Sequence, residues 1–213
     1  MASGAAGALA HAFRLVTQPG DEILTFAPFF PEYHPYVDLT GAVLKVVPPN
    51  TADFQINFTA FEEMVNEKTM AILINTPNNP SGIVYSTGTI QKLAAVLTKK
   101  AEEFGHPIYI ISDEPYRELV FAGVDAPCVS KFYDNTIVCY SFSKSLSLPG
   151  ERIGYVAINP ACEGAEFMVP MCAQISRGIG HNCPASIIQL AVAEVLDMTS
   201  DISVYETNAG LLY

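Results

Sequence analysis

One lysine, Lys144, stands just past the apolar, β-branched run Thr136-Ile-Val-Cys-Tyr140, and one arginine, Arg152, follows eight residues later across a Ser-Leu-Ser-Leu-Pro-Gly linker. A lysine at the end of a buried strand is expected to be partly desolvated, which favours the neutral amine. Such an amine attacks a carbonyl carbon and forms a Schiff base. The competing reading is a side chain that snorkels to the surface. Asp113 ends a second apolar run, Ile108-Tyr-Ile-Ile-Ser. A carboxylate there either caps the following Asp-x-Pro turn or holds a proton on the ring nitrogen of a bound heterocycle. Tyr116 reaches the same place if the segment turns helically. Asn79, in the turn Asn78-Asn-Pro-Ser-Gly82, either belongs to a plain loop or points an amide into a crevice. Ser3-Gly-Ala-Ala-Gly-Ala-Leu9 opens a helix with small residues, and its free N–H groups suit a single phosphate. It is not a G-x-G-x-x-G signature. Arg152 and Ser141 would add hydrogen bonds to the same anion.

These residues need elements that bring them together. Glu22–Phe26, Val43–Val47, Met70–Ile74, Ile108–Ile111 and Thr136–Tyr140 read as strands. Several are apolar throughout, as in a parallel sheet covered on both faces. Leu9, Phe13 and Val16 mark one helix face. Ile90, Leu93, Leu97, Ala101 and Phe104 mark another, ended by Gly105 and Pro107. Ala185 to Met198 reads as a further helix. Ile153–Ile158 follows the lysine segment after a loop too short for a parallel crossover, so this last strand is expected to run antiparallel. The fold class expected is α/β, a three-layer α-β-α arrangement around a mostly parallel sheet. Asn75–Gly82, Ser112–Tyr116 and Ser141–Lys144 each follow a strand, where such sheets place their ligand crevice.

The composition excludes other classes. The 213 residues are half hydrophobic, enough for a thick core. Net charge is −11, from 11 basic and 22 acidic residues, which opposes nucleic-acid binding. No apolar run reaches the length of a membrane span, and the start shows no export signal. Five scattered cysteines form no CxxC pair and no zinc-type cluster, so idle thiols in a reducing cytoplasm are expected. No metal site is expected. His11, His34, His106 and His181 suggest no role.

Taken together, "SGAAGAL", "APFFPEY", "NTPNNPSG", "SDEPY" and "SFSKSLSLPGERIGY" resemble the fold-type I pyridoxal-phosphate enzymes, specifically the class I/II aminotransferases. The five motifs cover positions 3 to 155. The resemblance implies roles. Lys144 would bind pyridoxal 5'-phosphate as a Schiff base and then shuttle the substrate proton. Asp113 would pair with the pyridinium nitrogen. Tyr116 and Asn79 would hydrogen-bond the phenolate oxygen, and Phe30 would stack on the ring, whereas Phe29 suits core packing, which is also the simple alternative for Tyr33. The backbone of Ala5 and Ala6, with Ser141 and Arg152, would hold the phosphate. The substrates implied are an amino acid and a 2-oxo acid, and the full protein is expected to be a homodimer.

In the family a longer N-terminal segment precedes the phosphate loop and a smaller domain follows. Residues 1–213 therefore read as the pyridoxal-phosphate-binding large domain, lacking both. The family's arginine for the substrate α-carboxylate lies in the absent portion, with Arg177 as a weak stand-in. Cofactor binding with poor turnover is the expectation. Two alternatives share the motifs: an eliminating C–S lyase or aminocyclopropane-carboxylate synthase, and a non-catalytic aminotransferase-like module of a regulator.

Overall fold

The computed structural model describes residues 1–121, 123–198 and 201–210. The elements run α1 (Gly4–Val16), β1 (Glu22–Phe26), α2 (Tyr33–Asp38), β2 (Val43–Val47), α3 (Phe58–Met64), β3 (Thr69–Asn75), α4 (Thr87–Phe104), β4 (Tyr109–Asp113), β5 (Thr136–Ser141), α5 (Phe142–Ser145), β6 (Gly154–Ile158), α6 (Ala165–Gly178), α7 (Ser186–Ala193) and α8 (Ser203–Gly210). The six strands form one sheet in the order β2-β1-β3-β4-β5-β6. All neighbours are parallel except β5 and β6, which pair antiparallel with Tyr140 opposite Tyr155 and Ser141 opposite Gly154. The expected α/β class and the single antiparallel strand are both observed.

Side-chain alternation explains why the strands read as unbroken apolar runs. Ile23, Ala71, Leu73, Ile111 and Ile137 face one layer, where α1, α2 and α6 supply Leu9, Phe13, Tyr33, Val37 and Met168. Leu24, Ile72, Ile74 and Ile110 face the other, against Phe61 of α3 and Ile90, Leu93 and Leu97 of α4. Both faces of the central strands are buried, so most residues in each alternate set are apolar, with Thr25 and Ser112 among the buried polar exceptions.

The expected helices are present with adjusted ends. In α4 the Ser86 hydroxyl accepts from the Thr89 N–H at 3.0 Å, and Gly105 closes the helix at φ 74°. The helix expected over 185–198 is shorter. Regular turns end at Ala193, and Val195 and Met198 donate to carbonyls three residues back, the tighter pattern of a fraying end. Helix α6 contains Pro170, which masks its helical pattern in the sequence. Among the described residues, no helix is long and apolar enough to cross a membrane and no group of side chains has metal-site geometry.

Candidate active site

The site starts at the start of the chain. Ala2 pairs with Gly154 of β6, its N–H donating to the Gly154 carbonyl at 2.8 Å and its carbonyl accepting at 3.0 Å. This bridge hangs the first turn of α1 over the end of the antiparallel pair. A Cβ on Gly154 would overlap the Tyr140 carbonyl oxygen and stand 3.0 Å from the Gly4 carbonyl carbon. Gly4 itself sits at φ 63°, and a Cβ there would lie 2.6 Å from a terminal nitrogen of Arg152. Only glycines at 4 and 154 let the helix N-terminus and the guanidinium approach this closely. Gly154→Ala is therefore expected to destabilise the domain by at least about 1–3 kcal/mol. Thermal unfolding checks this, and an unchanged midpoint would refute the close packing.

Arg152 reaches this position through a compact linker. After α5, a short 3₁₀ turn at Pro149–Glu151 folds back, and Arg152 takes a left-handed conformation at φ 50° while its guanidinium donates to the Pro149 carbonyl at 2.9 Å. Ser141, the last residue of β5, turns the chain into α5: its hydroxyl accepts from the Ser143 N–H at 3.1 Å.

Asp113 ends β4 and is 5% exposed. Its Oδ2 accepts from the Tyr33 hydroxyl at 2.6 Å, whereas its buried Oδ1 has no partner among the described residues. Burial raises the carboxyl from its ordinary 3.8 to about 7; the Tyr33 hydrogen bond opposes that rise and the nearby Glu114 adds to it. Tyr33, whose own hydroxyl is pushed well up by burial and then by the Asp113 charge, stays a donor. Core packing was the simple alternative for Tyr33. It is there, but its hydroxyl also orients the key carboxylate, and only the fold brings residues 33 and 113 together.

Asn75 is the second residue missed. Its amide donates to the Asp113 carbonyl at 2.8 Å and its oxygen accepts from the Asn79 N–H at 2.6 Å, tying the Asn-Pro loop to the end of β4. A buried asparagine closing an apolar strand was the available signal. Beyond Asp113 the chain does turn, and Asn79 donates to the Tyr116 hydroxyl at 3.3 Å. Buried Glu114, bonded to Ser112 and paired with Arg117, pins that turn.

All nine residues singled out from the sequence line one cavity of about 310 Å³: Ala5, Ala6, Phe30, Asn79, Asp113, Tyr116, Ser141, Lys144 and Arg152. Phe30 faces it, and Phe29 packs into the core layer beside Tyr33. Two expectations need correction. Lys144 is exposed, not partly desolvated, because β5 stops at Ser141 and the lysine sits a full turn beyond the sheet, 5.8 Å from the Tyr116 ring centre. Arg177 is exposed near the end of α6 and does not line the cavity, so it is no stand-in for a carboxylate clamp. His11 is a satisfied core residue, bonded to the Gly7 carbonyl and the Ser176 hydroxyl, each at 2.6 Å.

The fold is a mostly parallel α/β sheet, and one cavity at its strand ends gathers a helix start, an arginine, an amine and a buried carboxylate. The sequence pattern "Aminotransferase class I and II" matches residues 1–211, and the chain belongs to that family. An aspartate aminotransferase of Thermotoga maritima is 36% identical over 72% of this chain, and one of Sulfurisphaera tokodaii is 31% identical over 99%. A crystal structure of an aminotransferase from Eubacterium rectale superposes with a TM-score of 0.94 at 49% identity, covering 99% of this chain and 53% of that one. The chain spans 40% and 52% of the lengths of the two curated relatives.

Proposed function

We propose that residues 1–213 form the cofactor-binding large domain of a pyridoxal-phosphate-dependent aminotransferase. The observation that carries this is the convergence of an amine, an unpartnered buried carboxylate oxygen and an arginine-flanked helix N-terminus in one cavity. Those groups fit a phosphorylated pyridine aldehyde end to end. The N–H groups of Ala5 and Ala6, the Ser141 hydroxyl and Arg152 hold the phosphate. Asp113 Oδ1 accepts from the ring nitrogen. Tyr116 and Asn79 hold the phenolic oxygen, and Phe30 covers one ring face. Lys144 would hold the aldehyde carbon, and its amine would move the substrate α-proton. When bound, the cofactor supplies the electron-accepting ring that makes this proton removable.

The reaction on this reading moves an amino group from an amino acid to a 2-oxo acid in two half-reactions. Among the described residues, Arg152 is the only arginine lining the cavity, so the chain alone is expected to bind cofactor and turn over poorly. A homodimer is part of the same reading: the exposed Phe167, Val169, Ile187 and Leu190 leave apolar surface for a neighbour. The five unpaired cysteines support a cytoplasmic location.

The test is covalent. Pyridoxal phosphate added to the chain should give a cofactor absorbance band that stays with the protein after free cofactor is removed by gel filtration. Borohydride should then fix the cofactor on the peptide containing Lys144. Label on another lysine, or none, would overturn the assignment.

A further inference from the structure

We propose that the Tyr140 and Ser145 hydroxyls act as a pair that aims the Lys144 amine, making Tyr140 and Ser145 positioning residues. This rests on the reading of Lys144 as the point of cofactor attachment. Helix α5 has four residues, one turn, and a single turn has no stability of its own. It is also where Lys144 sits, exposed and without a hydrogen-bond partner among the described residues. The direction of the amine therefore depends on what clamps the turn and on the Tyr116 ring, whose centre lies 5.8 Å from it.

Two consecutive strand residues do so from opposite faces of the sheet, because neighbouring side chains on a strand alternate. Ser141, toward the cavity, caps the start of the turn through the Ser143 N–H. Tyr140, on the other face, donates its hydroxyl to Ser145 Oγ at 2.7 Å, next to Lys144 in the chain. Tyr140 is a rigid post. It is 3% exposed, stacks on Tyr155 across the β5–β6 pair with ring centres 5.0 Å apart, and meets Phe142 edge-on at 5.1 Å. Burial pushes its hydroxyl up, so it remains a donor across the working pH range. Glu118 lines the same side of the turn as Tyr140 and Ser145 and is the competing acceptor for that hydroxyl.

Tyr140→Phe keeps the ring stack and removes only the donor. Ser145→Ala removes the acceptor, and Ser145→Thr restores a hydroxyl. In the reconstituted protein, Tyr140→Phe and Ser145→Ala should each still be fixed by borohydride at Lys144. Each should lower the circular dichroism of the bound cofactor, which reports its orientation, and shift the pH midpoint of its band. In the protein carrying the complete enzyme, kcat should fall about tenfold, the equivalent of one hydrogen bond, with KM unchanged. The double variant should be no worse than either single one, Ser145→Thr should recover the signal, and unfolding midpoints should stay near wild type. Unchanged dichroism and pH midpoint in both single variants would overturn the pair. So would an effect of Tyr140→Phe without one of Ser145→Ala, which would assign the hydroxyl to Glu118. Failure of the wild type itself to be fixed at Lys144 would overturn the cofactor reading and this inference with it; fixation with unaltered variants overturns this inference alone.

Discussion

Lys144→Ala is expected to abolish covalent retention of pyridoxal phosphate and its visible band, while leaving the fold intact. The side chain is exposed and packs into neither core layer, so its removal opens no cavity. Loss of the proton shuttle alone should cost about 10²–10⁴-fold in amino-transfer rate, and loss of attachment adds to that. Lys144→Arg separates charge from nucleophilicity. It keeps a cation at the mouth of the cavity, but the guanidinium stays protonated and does not attack an aldehyde. Both variants should bind the cofactor reversibly through the phosphate cradle and Asp113. Retention of a borohydride-fixed label in either variant would show that another amine does the work. The measurement is mass analysis of the digested, reduced protein.

Asp113→Asn is the second large effect, with two readouts. The first concerns the protein without cofactor. The carboxyl titrates at about 7 when folded against 3.8 ordinarily, so the folded state holds a proton that the unfolded chain has released. A raised value of this kind stabilises the fold below pH 4, and the contribution is lost as pH rises through 7. The gap corresponds to at most about 4 kcal/mol. Glu114, also raised by burial, acts in the same direction, so the difference between wild type and Asp113→Asn isolates the aspartate. Wild type should lose thermal stability between pH 4 and 7 more steeply than the variant; parallel curves would sink the claim. The second readout is cofactor affinity. On the proposed reading, a cationic ring N–H beside Oδ1 would supply the partner that this oxygen lacks, and the ionised carboxylate would become the favoured form. Replacing it by an amide removes a buried, charge-assisted hydrogen bond worth about 1.5–3 kcal/mol. Affinity should therefore fall about 10- to 100-fold. Equal affinities, measured by titration of the cofactor band, would place the ring nitrogen elsewhere.

Chain-local physics was enough to indicate the strands and their order in the chain, and the family resemblance added roles for residues in the segments that follow them. An apolar run such as Ile72–Ile74 is expected to be buried on both faces, and most of the nine residues now found around one cavity lie in the segments that end or follow a strand or open a helix. The antiparallel sense of β6 also followed from a local quantity, the length of the loop before it. Tertiary structure decided what depends on the distance between remote positions. The exposure of Lys144 depends on where β5 ends relative to the cavity wall, not on the residues flanking it. The Tyr33–Asp113 hydrogen bond joins positions 80 residues apart, and the raised carboxyl is a property of that enclosure. The crowding of Gly154 between Tyr140 and Gly4 is equally a property of packing. Periodicity reports which way a side chain points within its own element, but burial, hydrogen-bond partners and protonation are set by the atoms that surround it, and those come from everywhere along the chain.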